Sequence, residues 1–181
     1  MGKQPIIISL GFRKNAGKDT AANYLVDRYG FTKLSFADVL RDAAKALFGF
    51  TDHQMSDRRL KEMPDEAWKI SPRDSLKSLG DAVREKFGEE FLIRCTQNRI
   101  RDIASRIPDA KIVIADVRLF TEARAIKSWD GQLWLVNRKT EHSDQHRTET
   151  ELDAFNGWDQ LLDNDRSMAE LFEQIDRIME A

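Results

Sequence analysis

The run IIISLGFRKNAGKDTAANYL (residues 6–25) holds the residue types most suited to chemistry. Within it, Ala16-Gly17-Lys18-Asp19-Thr20 follows a short apolar stretch and leads into a segment of helical spacing. Phosphates need this layout because successive backbone N–H groups and a helix N-terminus converge on negative oxygens. Gly17 permits close backbone approach, and Lys18 supplies a positive charge toward the outer phosphates of a nucleotide. Arg13, Asn15, Ala16 and Asp19 belong to the same cradle, and Thr20 offers a hydroxyl to Mg²⁺. Two features depart from the usual phosphate-loop pattern. Phe12 stands where the first glycine is expected, with Gly11 one residue earlier, and Asp19 follows the lysine, which displaces the hydroxyl to Thr20. Read alone, the motif does not separate a kinase from a GTPase or an ATP-driven machine. The bland alternative is a strand-to-helix turn with an exposed lysine.

A second constellation lies in KIVIADVRLFTEARAI (residues 111–126), which places Asp116 and Arg118 just past the carboxyl end of a strand. Ligands of open α/β sheets sit at that edge. Asp116 is a candidate to position Mg²⁺ through water, and Arg118 offers a planar fork to phosphate. Equally, the two can cap the following helix and pair with each other.

The elements that must position these residues are legible from periodicity. Strands are expected at 5–10, 32–36, 111–115, 132–136 and 158–162, the first from a continuous β-branched run suited to a parallel sheet covered on both faces. Helices are expected at 18–29, 37–48, 72–87, 89–106, 119–129 and 167–179. Gly30 closes the first helix, and Ser71-Pro72-Arg73-Asp74 opens another as N-cap, first-turn proline and capping acid. Met168, Leu171, Phe172, Ile175 and Ile178 form one stripe of the last. The polar stretch 49–71 reads as an irregular excursion with a helical turn or two. Alternating strands and helices make βαβ units. The expected fold is therefore α/β: a single three-layer α/β/α domain over residues 1–181, of P-loop type, with a five-stranded parallel sheet.

Composition limits the partners. Net charge is -2 over 181 residues, with 33% charged side chains, so nothing advertises nucleic-acid or membrane binding. The single cysteine, Cys95, makes no internal disulfide and has no zinc-like spacing around it. No apolar run approaches a membrane span and no leader is recognisable, so a cytoplasmic setting is expected.

GKDT, SFADVLRDAAKALFG, SPRDSLKSLGDAVREKFG, IADVRLFTEARAI, DQHRTETEL and LLDNDRSMAELF occur in the order found in phage-type deoxynucleoside monophosphate kinases. The chain resembles that family along nearly its whole length. GKDT and the D-x-R-x-x-x-E block (Asp116, Arg118, Glu122) carry the resemblance, supported by D-x-H-x-[ST]-E (Asp144, His146, Thr148, Glu149). Animal phosphomevalonate kinases look like distant relatives through GKD and the D-x-R element. The resemblance implies transfer of the ATP γ-phosphoryl group to a deoxynucleoside monophosphate, with Mg²⁺. It implies an acceptor-binding helical region at about 37–106, where Asp38, Arg41, Arg73 and Arg84 meet the acceptor, and a lid-like segment at about 137–156. Arg138 and Arg147 are the lid candidates to reach the transferring phosphoryl, Arg138 preferred, and Asn164 ends the last strand where relatives contact adenine. Glu122 is carried with the acceptor residues, and it can instead orient Arg118 or favour its helix N-terminus. Trp68 is the aromatic considered for stacking. Arg73 and Arg84 have a bland reading as surface ion pairs.

Other readings stay open. One is a P-loop kinase with another phosphorylated acceptor, of phosphomevalonate or dephospho-coenzyme A type. Another is a nucleotide-binding protein without catalysis, favoured by the shifted Gly11 and by Lys77 and Arg166. Small-molecule nucleotides are the expected partners, and whether the chain forms a homodimer is left open.

Overall fold

The computed structural model describes residues 4–11, 13–139 and 146–181. Phe12, at the usual first-glycine position, and Asp144, in the lid-like stretch, lie outside the described residues. The chain divides into two compact units, one of residues 1–35 with 96–181 and one of residues 36–95.

The first unit carries the sheet. Its strands are β1 (Ile6–Gly11), β2 (Thr32–Leu34), β3 (Lys111–Val117), β4 (Gln132–Asn137) and β5 (Gln160–Asp163), in the order β2-β3-β1-β4-β5. All pairings are parallel. Helices flank the sheet: α1 (Lys18–Tyr29), α6 (Phe120–Ser128), the single turn α7 (Arg147–Thr150) and α8 (Met168–Met179). The expected five-stranded parallel α/β architecture is present. The central strand is β1, whose residues Ile7 to Gly11 are all buried, as a strand covered on both faces must be. Ile8 and Leu10 of β1, Val113 and Ala115 of β3, and Trp134 and Val136 of β4 alternate onto one face. There they meet Ala21, Ala22 and Leu25 of α1 and Leu171 and Ile175 of α8. Each large aliphatic group buried this way contributes roughly 1.5–3 kcal/mol.

The structure differs from the sequence expectation in three instructive places. β3 runs two residues further, so Asp116 is its penultimate residue rather than the first beyond it. β5 begins at Gln160, and Trp158 instead turns its ring onto Gly11. A Cβ on Gly11 would lie 2.1 Å from the indole, so packing against Trp158 requires this glycine. Met168, assigned to the apolar stripe of α8, is 60% exposed, because it sits in the first turn after the Ser167 N-cap, ahead of the buried Leu171 and Ile175.

The second unit is helical: α2 (Asp38–Phe48), α3 (Asp52–Ser56), a 3₁₀ turn (Leu60–Glu62) and α4 (Pro72–Phe87). α5 (Phe91–Arg106) begins here and continues into the first unit. Ser71 caps α4 as expected, its hydroxyl accepting from the Asp74 N–H at 3.0 Å with Pro72 in the first turn. Ala44, Phe50 and Met55 form a small buried cluster, with Phe48, Leu76 and Leu79 packed around it.

Candidate active site

The phosphate loop leaves the central strand β1 and ends at Gly17, which precedes α1 in a left-handed conformation with φ 100°. Asn15 is also left-handed, at φ 62°. Gly17 has a second reason to lack a side chain: a Cβ there would lie 2.1 Å from the Asn164 amide nitrogen. Asn164, just past β5 and 9% exposed, donates from that amide to the Ala16 carbonyl at 2.8 Å. The residue expected to meet adenine thus holds the far side of the phosphate loop.

Lys18 is 6% exposed, and its ammonium donates to the Arg13 carbonyl across the loop. Burial, and then the Arg118 guanidinium, push its pKa down to about 7, against the opposing pull of Glu149, Asp19 and Asp116. A buried lysine whose neighbours only partly offset its desolvation is a group prepared for an anion. The bland reading of an exposed lysine on a turn does not hold here. Thr20 lies in the first turn of the same helix and is half-buried.

Strands β2 and β3 bring the second constellation. The Ser35 hydroxyl, just past β2, donates to the Asp116 carboxylate. Arg118 follows β3, and its guanidinium donates to the Glu149 carboxylate and, at 3.3 Å, to the Thr148 carbonyl. Asp116 and Arg118 are therefore not simply each other's partners. Glu122, 4% exposed, accepts from the backbone N–H groups of Arg118 at 2.9 Å and Leu119 at 3.1 Å. It orients the start of α6 and the Arg118 backbone. Arg13 pairs with Asp153. Arg147 is held by Glu151 one turn on, at 2.9 Å, whereas Arg138 stands exposed just past β4.

Two residues were missed as site members. Glu149 appeared only as a motif position, yet it is 6% exposed and ties Arg118 to the Lys14 backbone N–H, which it accepts at 2.8 Å. Ser35 carried no sequence signal beyond its place at the end of a strand.

In the helical unit, Asp38 and Arg41 at the start of α2 pair at 2.9 Å. Arg73 donates to Glu62 at 2.6 Å, which fits the ion-pair reading in part. Arg84 comes within 3.9 Å of Asp81 one turn back, and its side chain is only 10% exposed, folded along α4 where a Cβ on Gly80 would sit 3.0 Å from its guanidinium. Trp68 is 51% exposed, with its indole N–H donating to the Phe48 carbonyl at 2.8 Å and its ring edge-on to Phe48. Among the described residues no group of three or more His, Cys, Asp and Glu is placed to hold a metal, and no helix is long and apolar enough to cross a membrane.

A family profile described as deoxynucleotide monophosphate kinase matches residues 39–175. The chain belongs to that family. A deoxynucleotide monophosphate kinase is a phosphotransferase that uses ATP and acts on nucleotides. A protein of Acanthamoeba polyphaga mimivirus, named provisionally as a deoxynucleotide monophosphate kinase, is 35% identical over an alignment of 181 residues covering 94% of each chain. The UMP-CMP kinase 3 of Arabidopsis thaliana is 34% identical over 93 residues, 51% of this chain and 43% of the plant protein. Two solved structures share the kinase's fold. TT1252 from Thermus thermophilus has a TM-score of 0.60 at 19% identity, covering 98% of this chain and 97% of its own. The dephospho-CoA kinase of Campylobacter jejuni has a TM-score of 0.54 at 12% identity, covering 98% and 96%.

Proposed function

We propose that this deoxynucleotide monophosphate kinase carries out transfer with the residues of its phosphate loop and of the β3 edge. The observation that carries this reading is Lys18, buried at the head of α1 behind a left-handed glycine, with Arg118 and Asp116 close enough to shift its proton affinity.

The loop amides and Lys18 hold the ATP phosphates. An oxygen of the acceptor's own phosphate, already nucleophilic at neutral pH, forms a bond to the γ-phosphorus while the bond to the ADP oxygen breaks. The products are ADP and a deoxynucleoside diphosphate. Such a reaction asks the protein for alignment and charge neutralisation rather than covalent work. Thr20 and, through water, Asp116 would hold Mg²⁺, whose charge offsets that of the phosphates. A Mg²⁺ ion at a nucleotide site takes only one or two protein ligands beside phosphate and water, so this pair fits it without a larger acidic cluster. Arg118 and the exposed Arg138 neutralise the transferring phosphoryl. Asp38, Arg41, Arg73 and Arg84 of the helical unit bind the acceptor, with Trp68 a stacking surface for its base and Glu122 acting through Arg118. Asn164 serves the ATP side by fixing the loop.

The test is an acceptor screen with ATP and Mg²⁺ that reads ADP formation. Deoxynucleoside monophosphates are expected to stimulate it, and phosphomevalonate and dephospho-coenzyme A are not. Tight ATP binding with no acceptor-stimulated ADP would replace this reading with a non-catalytic nucleotide-binding protein.

A further inference from the structure

We propose that Glu149 is a positioning residue for transfer, holding the Arg118 guanidinium in fixed register with the phosphate loop. The inference rests on the proposed role of Arg118 in transfer.

The two oxygens of this carboxylate do different jobs. One accepts from Arg118, and the other accepts from the Lys14 N–H of the phosphate loop at 2.8 Å. A single rigid group thereby spans the loop that grips nucleotide and the arginine that must meet its phosphoryl. At 6% exposure the carboxylate has little water to compete for it, so both contacts act at low dielectric, where charge-assisted bonds are strong. The backbone around it is anchored as well. The Thr148 carbonyl accepts from the same guanidinium at 3.3 Å, the Phe120 N–H donates to Glu151 at 2.8 Å, and Asp153 pairs with Arg13. Three acidic residues of the stretch 149–153 thus grip the flanks of the site, and Glu149 reaches both of them at once. It also offsets a conflict: Lys18 and Arg118 repel each other, and Glu149 lies close enough to both to oppose that repulsion. Without it the guanidinium loses its fixed position, and misplacement by about 1 Å can cost roughly 10²-fold in rate.

A double-mutant cycle in the full chain tests this, with kcat, KM for ATP and thermal melting read for each protein. Glu149→Gln keeps an acceptor for the Lys14 N–H and loses the charge that holds Arg118. It is expected to lower kcat by roughly 10²-fold with KM for ATP little changed. In an Arg118→Ala background it is expected to add no further loss, because the two residues act as a unit. Should Glu149→Gln fail to fold, Glu149→Asp carries the same cycle, its shorter arm giving up one of the two contacts. If Arg118→Ala is slow and the substitution at 149 slows it by the same factor again, Glu149 does not act through Arg118 and the inference fails alone. If the variant at 149 loses only melting temperature, its role is structural and the inference fails. Normal turnover in Arg118→Ala overturns the proposed transfer role of that arginine and this inference with it.

Discussion

Lys18→Ala is expected to lower kcat/KM by about 10³ or more while leaving the fold intact. The loop amides alone can place the phosphates, but Lys18 is the buried cation of the loop among the described residues, 6% exposed, with its Nζ across from the Arg13 carbonyl. Stability should move the other way. The unfolded chain holds its lysine proton up to about pH 10.5, the folded one only up to about 7, with burial the first cause. Below pH 7 the ammonium is charged in both states, and the folded protein bears the full desolvation cost. Between pH 7 and 10.5 the folded protein sheds a proton that the unfolded chain keeps, so the cost fades and wild-type stability rises with pH. The alanine variant should therefore melt above wild type, with the gap widest below pH 7 and narrowing as pH rises. Assays of turnover beside melts at pH 6 and pH 9 check both halves. Near-normal turnover in the folded variant would remove Lys18 from the chemistry.

Arg118→Ala is expected to slow kcat by roughly 10³-fold or more, the scale on which an arginine serves phosphoryl transfer, and to weaken ATP binding far less. This variant has a second consequence. Glu149 is 6% exposed, and removing the arginine leaves a buried carboxylate whose remaining hydrogen bond is from the Lys14 N–H, with the Lys18 charge nearby. Breaking a buried pair in this way costs about 3 kcal/mol. Because replacing both members removes the stranded charge, Arg118→Ala/Glu149→Gln should recover part of that stability without recovering turnover. Pre-steady-state transfer, ATP titration and thermal melts separate the effects. Lost stability with unchanged kinetics would make Arg118 a structural residue.

Sheet and helices were legible because their signals are local. The β-branched run before Gly11, the glycine after Tyr29 and the Ser-Pro-x-Asp opening of α4 each fix a conformation through neighbours within four residues. The phosphate loop was legible for the same reason. What could not be read were side chains whose meaning depends on a distant partner. Gly11 looks like a misplaced loop glycine until the Trp158 ring, far along the chain, is found against it. Asn164 meets the loop through Ala16 across 148 positions, and Ser35 meets Asp116 across 81. Glu149 stood out only as the last position of a motif, and the fold shows its two oxygens joining Arg118 to the phosphate loop. Arg84 could be read as an acceptor residue or as a solvated helix residue, and nothing local showed that Gly80 clears space for its guanidinium along α4.

The most direct measurement is a crystal structure of the chain with ADP and Mg²⁺ soaked in. The β-phosphate is expected on the backbone N–H groups that lead into α1, with the Lys18 ammonium turned from the Arg13 carbonyl onto its oxygens. A nucleotide bound elsewhere, or a Lys18 still facing its own loop with ADP present, would contradict the account.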